Sequence, residues 1–188
     1  VCMVSIQGLE NHERIAEIMR KMEVDTTIRA YNPKGEYHFA DNSISATQSL
    51  VRWISSMPIS VYLAASLEES LDTKQEKDDL VYKSFFPKIL QPQILKYSRR
   101  LSGPATFKII FENLSDKKNV DAKYFSNIIQ SLSLPSSVEV QVRGKNEEPL
   151  SFLPDYYLGF LNKRLLKNEW AAESFKLMAD KVGLLLFL

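Results

Sequence analysis

Three carboxylates stand at the ends of elements that the sequence predicts. Glu36 belongs to a short extended piece after a Pro/Gly turn, Glu112 ends a strongly apolar strand, and Asp155 lies in the first turn of a helix. Mg²⁺ and Mn²⁺ prefer oxygen ligands, and a pair of such ions needs several carboxylate oxygens close together. Acids from separate strands and one helix can converge in this way. The three residues are therefore candidate metal ligands and candidate catalytic residues.

Each of these acids also has an ordinary structural explanation. A carboxylate in the first turn of a helix is stabilised by the helix dipole and by free backbone N–H groups, so Asp155 needs no metal. Glu112 leaves a strand and Glu36 adjoins a turn, and polar residues in such places are commonly solvated. Because the chain has 23 Asp and Glu residues, spacing alone does not select these three.

Basic residues form a second candidate set, for contacts with the phosphates of a nucleic acid. They occur in short clusters, and most such clusters are only solvated surfaces. The candidates for nucleic-acid contact are Lys117, Lys118, Arg143, Lys145, Lys163 and Arg164.

Several other kinds of site find no support in the sequence. The two histidines, His12 and His38, and the lone Cys2 do not suit a zinc site, although His38 is a candidate for proton transfer. No serine has the neighbours of a hydrolase triad, and no glycine-rich nucleotide-binding loop is present. One cysteine allows no intrachain disulfide and fits a reducing compartment, so we expect a cytoplasmic protein.

The totals argue against a membrane protein and against a molecule that binds by its overall charge. The net charge is +1, so no whole-molecule field draws the protein to nucleic acid or anionic lipid. No apolar run approaches the roughly 20 residues that span a bilayer. No signal peptide is visible in the 188 residues.

The apolar patterns predict an α/β domain in which strands and helices alternate around a mixed sheet. We expect one domain over residues 1–188, with the run at 105–113 as a buried, central strand. Residues 183–188, GLLLFL, suit a closing strand or a partner-facing tail. The predicted strands are 1–7, 36–39, 59–66, 105–113 and 138–143. The predicted helices are 10–22, 44–56, 80–101 (kinked at its prolines), 120–132, 150–167 and 169–181. The predicted loops include 23–35 and 67–79.

Four motifs resemble, in order and spacing, those of a prokaryotic ribonuclease-H-like family of unassigned function. They are GEYHF at 35–39, ISVYLAAS at 59–66, FKIIFEN at 107–113 and LPDYYLGFLNKRL at 153–165. The resemblance implies a ribonuclease-H-like mixed sheet flanked by helices. It also implies that Glu36, Glu112 and Asp155 hold two divalent cations for phosphodiester cleavage.

The chain departs from the family pattern at three places. Family members open with a strand that carries Asp-Glu-Ser-Gly, and residues 1–7 look like the strand that follows it, so we expect the first strand to be missing from the 188 residues. Pro154 stands where the family has a small residue, and Glu112 where an Asp is more usual.

Two functions are consistent with these observations. The first is a nuclease that depends on Mg²⁺ or Mn²⁺ and acts on nucleic acid. The second is a catalytically inactive interaction subunit of a larger nucleic-acid-processing or defence complex, which the missing first acid, the small net charge and the apolar C-terminal residues favour. Its partner would be another protein or a second copy of this chain.

Overall fold

Helices and strands alternate along the chain, as the apolar patterns predict. A computed structural model describes residues 2–31, 37–40, 42–65, 85–100, 106–112, 118–132, 134, 137–144, 147–165 and 168–187. The described residues form a mixed α/β protein, which confirms the predicted class. They divide into two compact units, Val1–Leu63 with Phe152–Leu186 and Ala64–Ser151 with Phe187–Leu188. The single ribonuclease-H-like domain stays a prediction.

The elements have the following bounds in chain order. The first half contains β1 (Cys2–Ser5), α1 (Leu9–Val24), α2 (Thr26–Tyr31), α3 (Ile44–Ser56), β2 (Ser60–Ala65), a π-helical turn (Phe86–Leu90) and α4 (Gln91–Ser98). The second half contains β3 (Thr106–Glu112), α5 (Lys118–Ser131), β4 (Ser137–Arg143), α6 (Phe152–Leu165), α7 (Glu169–Met178), a 3₁₀ turn (Ala179–Lys181) and β5 (Val182–Phe187).

The described strands form two sheets. In the first, β2 lies between β1 and β5, and β1 runs antiparallel to β2 with Cys2 opposite Leu63 and Ser5 opposite Ser60. The second sheet is the parallel pair β3 and β4, with Thr106 opposite Ser137 and Glu112 opposite Arg143. The C-terminal hydrophobic residues thus take part in a strand, which confirms one of the two expectations for them.

The core of the first unit comes from helical faces that the sequence predicts. On α1, Ile15, Ile18 and Met22 are buried at helical spacing. On α3, Leu50 and Ile54 are fully buried. Each such side chain contributes about 2 kcal/mol through removal from water. Helix α3 begins at the predicted residue, Ile44, because the Ser43 hydroxyl accepts a hydrogen bond from the Ala46 N–H.

The prediction of a loop throughout residues 23–35 is wrong for α2. The Asp25 carboxylate Oδ1 accepts hydrogen bonds from the backbone N–H groups of Thr27 (2.9 Å) and Ile28 (3.0 Å) and so begins a short helix. Ile28 is buried, with 1% of its surface exposed, which anchors this helix in the core. The strand predicted at 36–39 is also wrong for its described residues, because Tyr37 and His38 have no regular secondary structure and Phe39 begins a turn.

The second unit confirms several expected elements. Within the helix predicted at 80–101, the described residues change from the π-helical turn to α4 after Leu90, and Pro92 occupies the first turn of α4. Proline has no N–H to donate to the preceding turn, which favours a change of helix type at this place. On α5 the buried residues Phe125 and Ile129 follow the predicted apolar face. The predicted loop at 67–79 lies outside the described residues.

The expectation that residues 105–113 form a buried central strand is wrong for the described part of the chain. β3 pairs there with β4 alone, and none of its seven residues is buried. One face packs on α5, where the Phe111 and Phe125 rings stack with centroids 3.9 Å apart. The other face is exposed at Thr106, Lys108 and Glu112. An alternating apolar pattern predicts that one face of a strand is covered, but it does not predict how many strands pair with that strand.

Candidate functional site

Two of the three predicted acids, Asp155 and Glu112, lie among the described residues. Asp155 lies in the first turn of α6, in the first unit, and Glu112 is the exposed last residue of β3, in the second unit. Glu36 lies outside the described residues, although Tyr37 directly follows it in the sequence. The geometry of a carboxylate site can therefore be built only around Asp155.

One oxygen of the Asp155 carboxylate accepts a hydrogen bond, and the side chain is partly exposed to solvent. Its Oδ2 accepts a hydrogen bond from the backbone N–H of Phe39 at 3.0 Å. The same oxygen lies 3.9 Å from Nδ1 of His38, and the side chains of His38 and Asp155 are 24% and 41% exposed. The other oxygen, Oδ1, has no hydrogen-bond partner among the residues that the structure describes. This carboxylate is thus fixed in place while it retains an oxygen for a ligand.

A short piece of chain, residues 37–40 and 42, is docked on α6 beside Asp155, and we call it the docked segment. The Asn42 side chain donates hydrogen bonds to the His38 carbonyl at 2.7 Å and to the Tyr156 hydroxyl at 2.5 Å. Burial raises the pKa of Tyr156, so its hydroxyl keeps its proton at neutral pH and accepts the bond from Asn42. Asn42 therefore ties the turn at Phe39 to the helix that carries Asp155.

Gly159 permits the close approach of the docked segment to α6. A Cβ atom at this position would overlap the ring of Phe39. The Phe39 ring instead packs edge-on against Phe160 (4.7 Å between centroids) and Tyr156 (5.6 Å). It also lies nearly parallel to Trp170 of α7, at 6.3 Å and 16°. Such aromatic pairs favour a defined geometry, which positions the N–H of Phe39 toward Asp155.

The fit of this arrangement to a divalent cation can be tested from its donor atoms. Asp155 supplies carboxylate oxygens of the kind that Mg²⁺ and Mn²⁺ prefer. Within the described ranges, however, no three His, Cys, Asp or Glu side chains are placed to hold a metal ion together. The described residues therefore fit one ligand of a cation site and do not by themselves complete it.

Glu112 and Arg143 end the two parallel strands at the same edge. They are paired in the register, as are Lys108 and Glu139 on the same face. The guanidinium of Arg143 donates to Gln141 Oε1 at 2.9 and 3.1 Å and to Glu148 Oε2 at 3.3 Å. Arg143 is thus engaged within the second unit, and a phosphate would have to compete with these acceptors.

The remaining basic candidates are only partly described. Lys117 and Lys145 lie outside the described residues, and Lys118 begins α5 with a side chain that is not described. Lys163 and Arg164 are exposed in the last turn of α6, where positive charge is favoured by the helix dipole. Neither forms an ion pair with a described residue.

Sequence reasoning missed the partners that hold Asp155. The sequence predicted no role in the site for Phe39, Asn42 or Trp170. Asn42 and Tyr156 are 114 residues apart, so no local pattern reports their contact. The one available signal was Gly159, one turn after Asp155, because a helical glycine permits another part of the chain to approach closely.

A shallow depression of about 310 Å³ in the second unit is lined by Pro87, by residues of α5 and by Leu132, and it contains none of the predicted site residues. Among the described helices, none has the length and apolar character needed to cross a bilayer.

Comparison with protein-family models, with curated proteins and with solved structures gives no match for this chain. The ribonuclease-H-like resemblance therefore stays an expectation drawn from the four sequence motifs.

Proposed function

We propose that this chain is a ribonuclease-H-like nuclease that depends on Mg²⁺ or Mn²⁺ and cleaves phosphodiesters of nucleic acid. The observation that carries the proposal is the Asp155 carboxylate, 41% exposed and fixed by the N–H of Phe39. A ligand carboxylate has to be held in one orientation and yet remain reachable from solvent, and Asp155 meets both conditions.

Glu36 and Glu112 are the other ligands that the family resemblance implies. Glu36 immediately precedes the docked segment in the sequence, and Glu112 ends a strand whose motif resembles the family's acid-bearing strand. A pair of divalent cations, when bound, activates the attacking water and stabilises the leaving oxygen. The chain's own residues bind and orient: Asp155 supplies oxygen ligands, and Phe39 and Asn42 keep the helix and the docked segment in register.

The test is Mn²⁺-dependent cleavage of labelled single- and double-stranded DNA and RNA. The key variant is Asp155→Asn, because its amide oxygen can still accept from Phe39 while the negative charge is lost. We expect this variant to fold normally and to lose at least about 100-fold in rate. Glu112→Gln tests the second acid, which is exposed and whose side chain forms no ion pair with a described residue.

Glu173→Gln is the matched control, since Glu173 is an exposed acid on α7. Cleavage that survives in Asp155→Asn, or that falls equally in Glu173→Gln, would refute the assignment of Asp155. Cleavage lost in Asp155→Asn and unchanged in Glu112→Gln would remove Glu112 from the site and keep Asp155 in it.

One observation favours the interaction subunit as a second candidate. The bond from Phe39 to Asp155 gives this carboxylate a purely architectural role, as an anchor for the docked segment. If the wild-type chain neither cleaves nucleic acid nor binds Mn²⁺ in calorimetry, the anchor role suffices and the interaction subunit replaces the nuclease proposal.

A further inference from the structure

The exposed groups along α6 follow a fixed spacing. Asp155, Gly159 and Lys163 are four residues apart, so they occupy neighbouring positions on successive turns of the helix. At 1.5 Å per residue, Lys163 lies about 12 Å along the axis from Asp155. Arg164 is nine residues from Asp155 and so lies on the opposite side of the helix, where its guanidinium carbon is 5.4 Å from the ring centre of Phe175.

Aromatic rings fill the interval between the acidic and the basic end. Phe39 occupies the space above Gly159, and Trp170 lies nearly parallel to it. Both side chains are partly exposed. Their faces are held by Phe160, which packs edge-on against both rings at 4.7 and 5.8 Å. Rings that are rigid and partly open to solvent can stack with unpaired bases.

The order of these groups suits one kind of ligand. Lys163, which forms no ion pair with a described residue, attracts a phosphate, aromatic faces accept a base at little conformational cost, and the carboxylate at the far end is the proposed cleavage centre. A duplex hides its base faces, and proteins that bind it rely on many phosphate contacts. An acidic peptide would use the cations and would leave the aromatic rings without a partner.

We propose that Asp155, Phe39, Trp170 and Lys163 form a track that binds single-stranded nucleic acid along α6. The inference rests on the proposed function, since it names the class of substrate that the Asp155 site receives. The strand stacks a base on Phe39 or Trp170, and its phosphate lies at Lys163.

The test is the binding of labelled oligonucleotides of about ten nucleotides, measured by fluorescence anisotropy with EDTA present so that no cleavage occurs. Single-stranded RNA and single-stranded DNA are separate arms, and a duplex of the same sequence is the third. We expect both single strands to bind at least about tenfold more tightly than the duplex. Polyglutamate serves as a competitor that carries charge without bases.

Two pairs of variants separate charge from stacking. Lys163→Glu should weaken binding about tenfold, whereas Lys176→Glu should not, because Lys176 is exposed on α7 and lies about 120° around the helix axis from Trp170. Trp170→Leu removes the stacking face and should weaken binding about tenfold, whereas Trp170→Phe retains a face and should lose less. Circular dichroism checks the fold of each variant, and the lysine pair decides the outcome if Trp170→Leu does not fold.

Equal losses in Lys163→Glu and Lys176→Glu would overturn the track, and so would equal binding of duplex or full displacement by polyglutamate. The Asp155→Asn variant keeps this result separate from the proposed function. Binding that depends on Lys163 and Trp170 without any cleavage would support the track and refute the nuclease. Cleavage that is lost in Asp155→Asn but is unchanged by the substitutions of Lys163 and Trp170 would support the nuclease and refute the track.

Discussion

Asp25 joins three parts of the chain through one carboxylate. One oxygen accepts from the first N–H groups of α2, and the other accepts from the Trp53 indole at 2.9 Å and from the Ser49 hydroxyl at 3.4 Å. Burial alone would raise the pKa of Asp25, but these hydrogen bonds outweigh it and the pKa is lowered. A residue of this kind stabilises the fold and takes no part in the candidate site.

We predict that Asp25→Ala lowers the free energy of unfolding by about 2 kcal/mol at neutral pH, since it removes a helix cap and a charged acceptor. Because the pKa is lower in the folded state, this stabilisation is complete above the unfolded pKa of about 3.9 and is lost as the pH falls through the folded value. Urea unfolding from pH 7 down to pH 2.5 measures it.

Asp25→Asn is the control for that titration. The amide retains one acceptor oxygen and does not ionise, so its advantage over Asp25→Ala should be smaller and should not change below about pH 4. A wild-type advantage that stayed constant down to pH 2.5 would show that the charge of Asp25 does not stabilise the fold.

At the scale of elements, the candidate site depends on how the docked segment lies against α6. Phe39 packs where a side chain at position 159 would otherwise stand, and the N–H of Phe39 reaches Asp155 only in that position. The orientation of the carboxylate is therefore set by a glycine one turn away.

We predict that Gly159→Ala displaces the docked segment. Alanine favours the helix by about 1 kcal/mol, but overlap with the Phe39 ring costs about 1–3 kcal/mol, so stability should fall slightly or stay level. The decisive readout is hydrogen exchange at the Phe39 amide, which should become at least about tenfold faster because its bond to Asp155 is lost.

Gly144→Ala is the matched control, because a Cβ there would meet Glu147 at an ordinary 3.5 Å. It should leave the exchange of the Phe39 amide unchanged. If the Phe39 amide exchanged as slowly in Gly159→Ala as in the wild type, the position of the docked segment would not depend on the glycine.

The same elements show what the sequence could and could not predict. α1, α3 and β2 were predictable because local apolar spacing and the Ser43 cap decide them. α2 was missed because its first residues are held by Asp25, whose other oxygen bonds to Trp53, 28 residues away. Asp155 was predictable as a residue at a helix start, whereas its partners Phe39 and Asn42 reach it only through tertiary packing.

At the scale of the whole molecule, charge limits how this protein can engage nucleic acid. With 24 basic and 23 acidic side chains, the net charge of +1 provides no long-range attraction. Some basic groups also donate hydrogen bonds within the protein, as Arg143 does to Gln141 and Glu148. Any electrostatic contribution to binding must then come from a few local contacts.

This limit yields a quantitative prediction for the salt dependence of single-strand binding. Each phosphate contact contributes about −0.7 to the slope of log affinity against log salt for single strands, so one contact at Lys163 predicts a slope of about −0.7. Lys163→Gln should reduce its magnitude by about 0.7. Anisotropy titrations in increasing KCl measure both slopes. A wild-type slope of about −5 would reveal a broad basic surface, and binding would then be a property of many scattered lysines and arginines instead of the end of α6.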